Sequence, residues 1–396
     1  LRYGFLFFWL FAYPLFAKVD STQVCHACNV VQRDADIAAL APKWKSSKLK
    51  ILHLGDSHVQ IGHFTGELKR LLGVQQEGIQ FPYSLAKSID GRVFKSKAMG
   101  RWEGTSILKS STGQNIGLAG YAVSTRDSAA QITFTLKDSL ARFNQIRVWT
   151  NSDSCAMIPD VGPEFRLDKR GQSGNVAYWD FKSKNALSQF TLGLQKRAAQ
   201  QDEFTLHGVE ILTPNSSIEY QDLGVAGAQF THLKSRGNVA LSQIELLKPD
   251  LIICSFGTNE AYNAHWNPAT FRQALIEFMQ DVKSKSPETV FLLTSPPDTR
   301  GQRRIPPFQR EVVQVLAELP VPFYDLNQVM GGYGSSEAWM KNGCFLKDQL
   351  HLTKEGYQLQ AKLLALALFK TWGDPSAFSR LENQVNQHTI SIGITK

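Results

Sequence analysis

Along the 396-residue chain the spacing of apolar positions changes twice. The run Leu49-Lys-Ile-Leu-His-Leu54 is short, mostly apolar and stopped by Gly55. That reads as a buried strand opening onto a loop. From Phe64 to Leu72 apolar residues recur at helical spacing, so the opening unit is strand, tight turn, helix. Between about 93 and 213 the pattern becomes alternation, in Gln131–Leu136, Asn144–Thr150, Gln189–Leu194 and Glu203–His207. Gly, Asn, Ser and Asp clusters separate these runs, which predicts an antiparallel β-sandwich. From 214 the first pattern returns. Strands are predicted at Pro249–Phe256, Thr289–Ser295 and Val321–Leu326. Helices are predicted through Leu233–Leu247, Phe271–Val282, Val312–Leu319 and Lys354–Trp372, the last capped by Thr353. Strands alternating with helices imply a parallel sheet covered on both faces.

The organisation that follows is an α/β domain from residues 49–92 and 214–372, interrupted by a β-sandwich at 93–213. Residues 18–48 form a polar leader in which Asp34–Leu40 can make a short helix. Residues 373–396 form a polar tail with weak alternation near Ile390–Ile394, either paired with the β-domain or loose. No internal repeat is evident.

Residues 1–17 change the picture. Arg2 precedes an apolar run, Tyr3–Phe16, broken only by Gly4 and Pro14, and Ala17 is small. This is the layout of a secretory signal peptide, with cleavage after Ala17 and an uncleaved anchor as the alternative. Either way the body is expected in the periplasm or cell envelope, touching a membrane only through this segment. The stretch Leu363–Phe369 is too short to span a bilayer. In an exported chain Cys25 and Cys28 read as a local disulfide. Two thiols alone make no metal site, and Asn29 stands where haem attachment needs His. Cys254 sits in an apolar run, and a Cys155–Cys344 bridge stays open. The net charge of +8 and pI near 9.1 suit an anionic polymer or surface. Without a dense basic run, finger spacing or aromatic-basic module, nucleic acid is not expected as a partner.

Four clusters fall at or near predicted strand ends, where open parallel sheets carry their sites. They are Gly55-Asp-Ser-His58, Gly224-Val-Ala-Gly-Ala228, Gly257-Thr-Asn-Glu260 and Asp348-Gln-Leu-His351. A serine hydroxyl needs a base, which His351 can supply, and Asp348 three residues earlier can orient the ring. Taken in this order, the clusters resemble the four signature blocks of the SGNH (GDSL-like) hydrolases. The resemblance covers residues 49–92 and 214–372. It implies a flavodoxin-like three-layer domain, with Ser57 as nucleophile and Asp348 and His351 completing a triad. It also implies Ser57, Gly227 and Asn259 as oxyanion donors, and neither metal nor cofactor. His58 departs from the pattern, since many members carry Leu there.

Around these blocks, His58, Glu260, Tyr262 and Trp266 are candidate substrate contacts, the aromatic rings as a sugar platform. Each also has a plain structural reading: packing for His58, an ion pair for Glu260, a packed aromatic loop for Tyr262 and Trp266. Trp339 has the same double reading. Asp56 is expected to hold the turn, Gly224 to serve turn geometry, and His53 to be a satisfied core histidine. The blocks are similar to those of the bacterial peptidoglycan O-acetylesterases, which pair an SGNH domain with a module like those that bind carbohydrate. That likeness implies removal of acetyl from the 6-hydroxyl of muramic acid, with acetylated peptidoglycan or another O-acetylated glycan as partner. The alternatives are an O-acetyltransferase, a lipase or thioesterase, and a wall-binding protein without activity.

Overall fold

The computed structural model describes residues 24–88, 93–109, 116–213, 218–234, 237–301 and 306–391. The expected signal segment, 1–17, lies outside them. Two short helices, α1 (Ala35–Ala38) and α2 (Ala41–Lys45), lead into strand β1 (Lys50–Gly55), which is followed by α3 (Ser57–Gln60) and α4 (His63–Leu71). Ten strands come next: β2 (Phe94–Met99), β3 (Glu103–Ser106), β4 (Tyr121–Thr125), β5 (Gln131–Leu136), β6 (Phe143–Asn151), β7 (Ile158–Asp160), β8 (Phe165–Ser173), β9 (Val176–Leu187), β10 (Gln189–Gln195) and β11 (Phe204–Ile211). The α/β pattern then resumes with β12 (Glu219–Gly224), α5 (Thr231–Lys234), α6 (Gly237–Leu247), β13 (Leu251–Ser255), α7 (Thr258–Tyr262) and α8 (Pro268–Lys285). It closes with β14 (Val290–Thr294), α9 (Gln309–Glu318), β15 (Phe323–Tyr324), α10 (Leu326–Val329), α11 (Ser336–Lys341), α12 (Lys354–Thr371) and α13 (Pro375–Ser391).

The central sheet is parallel, in the order β12-β1-β13-β14-β15. Counted along this sheet alone the order is second, first, third, fourth, fifth, which is the flavodoxin-like doubly wound arrangement. The central strands β13 and β14 are almost wholly apolar because both faces of the sheet are covered, whereas β1 and the edge strand β12 carry polar residues such as His53, Gln221 and Asp222. Along β13, Leu251 and Ile253 pack with α4 and α12 on one side, while Ile252 and Cys254 pack with α6 and α8 on the other.

The described residues between 93 and 213 form two antiparallel sheets, β2-β5-β10-β7 and β3-β4-β11-β6-β9-β8. Phe94, Phe134, Ile146, Val148, Phe190 and Leu206 fill the space between them. The other face of the six-stranded sheet is not free. Trp149, Tyr121, Val176 and Tyr178 share one core with Leu223, Val225, Ala240 and Ile244 of the α/β domain. Buried polar contacts fix the docking. Gln221 of β12 donates to Glu210 of β11 at 2.7 Å and accepts from the Ile79 N–H at 2.6 Å, and Gln243 of α6 accepts from the Leu118 N–H at 2.6 Å. The sandwich is thus built into the α/β body rather than tethered to it.

Two sequence expectations are corrected. The C-terminal tail is neither loose nor paired with the β-domain as far as it is described, because α13 packs on the α12 side, burying Ala377, Leu381 and Val385. Those residues are four apart, a helical period. Cys155 and Cys344 are both free thiols, the first exposed and the second buried, whereas Cys25 and Cys28 are joined. No helix among the described residues is long and apolar enough to cross a membrane.

Candidate active site

Ser57 opens α3 directly beyond the C-terminal end of β1. Asp56 caps this helix, its carboxylate accepting from the His58 N–H at 2.9 Å. The helix crosses very close to the sheet because two glycines, Gly55 and Gly224, stand side by side in the β1–β12 register. A Cβ on Gly224 would lie 2.3 Å from the Gln60 nitrogen, and one on Gly55 would lie 2.3 Å from Val59 Cγ2. Gly224 therefore serves close approach, not the turn geometry expected of it.

His351 arrives from the loop between α11 and α12. Gln349 adopts φ 57° there, and Asp348 Oδ1 accepts the N–H groups of Leu350 and His351, each at 3.0 Å. The other carboxylate oxygen lies 2.7 Å from His351 Nδ1, and His351 Nε2 lies 2.9 Å from Ser57 Oγ. A carboxylate only accepts, so Nδ1 carries the proton and Nε2 is left to accept from the serine. Burial pushes the Asp348 carboxyl up. The hydrogen bonds from the His351 ring and from the two backbone N–H groups outweigh that and hold it below the ordinary carboxylate range.

The candidate oxyanion side is built from the ends of β12 and β13. In the loop after β12, the Val225 N–H donates to Gly55 O, the Ala226 N–H to Gln60 Oε1 and the Ala228 N–H to Val225 O. The Gly227 N–H, at φ 81°, donates to no protein acceptor among the described residues. Asn259 follows β13 on α7, and its Nδ2 donates to Ala228 O at 3.0 Å and approaches Asp56 Oδ2 at 3.4 Å. Ser57, Gly227, Asn259 and His351 all line one cavity of about 440 Å³. Val59, Ile61, Ile79, Tyr83, Leu346 and Leu350 supply most of its apolar wall.

The four candidate substrate contacts do not line that cavity. His58 is buried against Tyr357, 2.8 Å from its hydroxyl, and burial lowers its pKa to about 3. Glu260 is buried and accepts from the Phe230 and Gly257 N–H groups, so it clamps the loops that carry Gly227 and Asn259 together. Burial raises its carboxyl to about 7, and that of Asp56 likewise. Trp266 packs on Phe271 and Phe308, facing a separate cavity of about 170 Å³. The Tyr262 hydroxyl lies 3.5 Å from Thr299 Oγ1, and Trp339 is fully buried. An aromatic or charged residue beside a motif need not point the same way as the motif. His53 bridges Tyr220 and Ser255 at 2.6 and 2.7 Å inside the sheet, a satisfied core histidine.

Several cavity residues carried no sequence signal, among them Ile79, Gln80, Tyr83 and Asp222. Asp222 is held by Lys69 at 2.5 Å and Thr65 at 2.6 Å. Gln60 was findable, being three residues beyond Ser57 on the short helix α3, where the sequence predicts a tight turn. Among the described residues no group of three or more His, Cys, Asp or Glu could hold a metal ion.

A family model, the GDSL-like Lipase/Acylhydrolase family, matches residues 201–359. The match contains Gly227, Asn259, Asp348 and His351 and stops short of the Ser57 block. No curated protein sequence matches the chain. Among solved structures, a peptidoglycan O-acetylesterase superposes with a TM-score of 0.64 at 21% identity, covering 86% of this chain and 97% of its own. A lipase/acylhydrolase from Enterococcus faecalis has a TM-score of 0.30 at 24% identity, over 39% of this chain and 76% of its own. A family two carbohydrate esterase from Clostridium thermocellum has a TM-score of 0.31 at 12% identity, over 64% of this chain and 94% of its own.

The fold is that of an SGNH hydrolase carrying an inserted β-sandwich. Across both parts the chain resembles the peptidoglycan O-acetylesterase, and the family match supports an esterase.

Proposed function

We propose that the protein is an exported serine esterase that removes O-acetyl groups from peptidoglycan, at the 6-hydroxyl of muramic acid. The observation that carries the esterase reading is the chain Ser57–His351–Asp348, with steps of 2.9 and 2.7 Å, beside an unengaged Gly227 N–H and the Asn259 amide. Ser57 Oγ attacks the acetyl carbonyl while His351 Nε2 takes its proton, and Asp348 stabilises the imidazolium. Ser57 N–H, Gly227 N–H and Asn259 Nδ2 receive the oxyanion; losing one such donor costs roughly 3–4 kcal/mol. The tetrahedral adduct collapses, the sugar oxygen leaves with the proton from His351, and water attacks the acetyl-serine by the same route.

The glycan substrate rests on the likeness to an enzyme that is a peptidoglycan O-acetylesterase and on the basic charge of this chain. Export rests on residues 1–17 and is supported by the Cys25–Cys28 disulfide, a bond characteristic of oxidising compartments. The test of the chemistry is turnover of a short-chain aryl acetate by wild type and Ser57→Ala. Loss of turnover in a folded variant supports the assignment, and retained turnover overturns it.

One observation favours a second reading, an acylhydrolase for longer chains. The 440 Å³ cavity is walled mainly by aliphatic side chains and is far larger than an acetyl group needs. The aromatic loop that argued for sugar faces elsewhere. Aryl esters of increasing chain length separate the two: a fall in kcat/KM beyond acetyl favours the acetylesterase, and a rise favours the second reading.

A further inference from the structure

We propose that the inserted β-domain positions the oxyanion loop through Gln60, so that a hydrogen-bonded relay from Tyr121 sets the orientation of the Gly227 N–H; this rests on the esterase reading above. Tyr121 lies on β4 of the insert and is held rigidly, stacked on Phe81 at 5.6 Å and edge-on to Tyr83 at 5.2 Å. Its hydroxyl lies 2.9 Å from Ser88 Oγ. Gln60 Nε2 donates to both, at 3.1 Å to Ser88 and 3.3 Å to Tyr121. These bonds fix which end of the amide faces the site. Gln60 Oε1 therefore points at the loop and accepts the Ala226 N–H at 2.5 Å.

That contact is one peptide unit from the proposed oxyanion donor. The loop has four consecutive N–H groups. Three are anchored, to Gly55 O, Gln60 Oε1 and Val225 O, while the Gly227 N–H has no protein acceptor among the described residues and is left for substrate. Gly227 itself is exposed and at positive φ, so little else restrains its peptide plane. Preorganised donors stabilise developing charge because they need not reorient during the reaction. Gln60 is thus a positioning residue that makes the insert part of the catalytic framework. Tyr83, which braces Tyr121, also lines the cavity, so one aromatic cluster serves both substrate wall and relay.

The test compares Gln60→Met, Gln60→Glu and Tyr121→Phe in the full chain, with aryl acetate as substrate and a small alkylboronic acid as tetrahedral mimic. Gln60→Met removes the acceptor, and kcat should fall about 10-fold or more with KM within about 3-fold, the signature of an interaction made in the transition state. Boronate affinity should fall in parallel. Gln60→Glu keeps an acceptor for Ala226 but loses the donors to Ser88 and Tyr121, and Tyr121→Phe removes the far end of the relay. Both should give smaller losses of the same kind. Thermal unfolding is measured alongside. Variants with lower thermal stability but unchanged kcat and boronate affinity below their transition would show a purely structural role and overturn the proposal. Wild-type turnover that survives Ser57→Ala would instead overturn the esterase reading on which the proposal stands.

Discussion

Replacing Gly224 by alanine tests how tightly the sheet sets the position of Ser57. The new Cβ would sit 2.3 Å from the Gln60 nitrogen, 2.6 Å from Asp56 O and 2.8 Å from Gln60 Cα. All three are backbone atoms, so no side-chain rotation relieves the overlap. Restoring an ordinary contact of 3.4 Å requires β12 and α3 to separate by about 1.1 Å. Overpacking of this kind costs about 1–3 kcal/mol of stability. Because α3 begins at Ser57, the same shift moves the proposed nucleophile relative to His351 and the proposed oxyanion donors. A misplacement near 1 Å costs about 10²-fold in rate. The assay is kcat on an aryl acetate, measured below the unfolding transition, together with thermal unfolding. Gly193→Ala is the control, since its Cβ would meet nothing nearer than 3.8 Å. A Gly224→Ala protein with wild-type kcat and stability would refute the claim that the paired glycines seat α3.

Asp348→Asn should lower kcat on the order of 10⁴-fold while KM changes little, because an amide no longer fixes the His351 tautomer; steady-state kinetics checks this, and a loss under 10-fold would count against the proposed triad. Glu260→Gln should destabilise by about 1–3 kcal/mol, since an amide cannot accept both the Phe230 and Gly257 N–H groups. In wild type, burial raises the carboxyls of Glu260 and Asp56 to about 7. The stability linked to these groups is therefore full in mild acid, below their unfolded pKa, and is lost as pH rises through about 7. Unfolding temperatures from pH 5 to 8 should show a shallower decline in Glu260→Gln, and an unchanged slope would contradict this. Burial lowers His53 and His58 to about 3, the opposite sense. Their contribution is present above about 6.5 and falls away as pH drops toward 3, so His53→Gln should flatten the acid limb of the same measurement.

Much of the α/β domain was legible because its strands are buried on both faces. Runs such as Leu251-Ile-Ile-Cys254 admit few other structures, and the four polar clusters stand out against them. Ser57, Asp348, His351 and the oxyanion candidates stood out for the same reason: each lies just beyond a strand or on a loop closing over strand ends. Direction was not legible. Nothing local to Trp266 or His58 says that one packs on Phe271 and Phe308 and the other turns inward to Tyr357. The insert was legible as β-structure but not strand by strand. β8 is largely exposed and charged, and no apolar alternation marks it. Its docking was illegible because Trp149 and Tyr178 look like any sandwich residues until their shared core with α6 is seen. In the tail, the alternation near Ile390–Ile394 drew attention from the four-residue spacing of Ala377, Leu381 and Val385, which is what α13 buries.

In the proposed reaction Ser57 and His351 hydrolyse an acetyl ester on a wall glycan. Its most direct test is acetate release from O-acetylated peptidoglycan by wild type, with Ser57→Ala as blank and the aryl acetate as control. Acetate is expected from the polymer with wild type and not with the variant. Aryl acetate turnover without release of acetate from the polymer would contradict the glycan assignment while leaving the serine esterase in place.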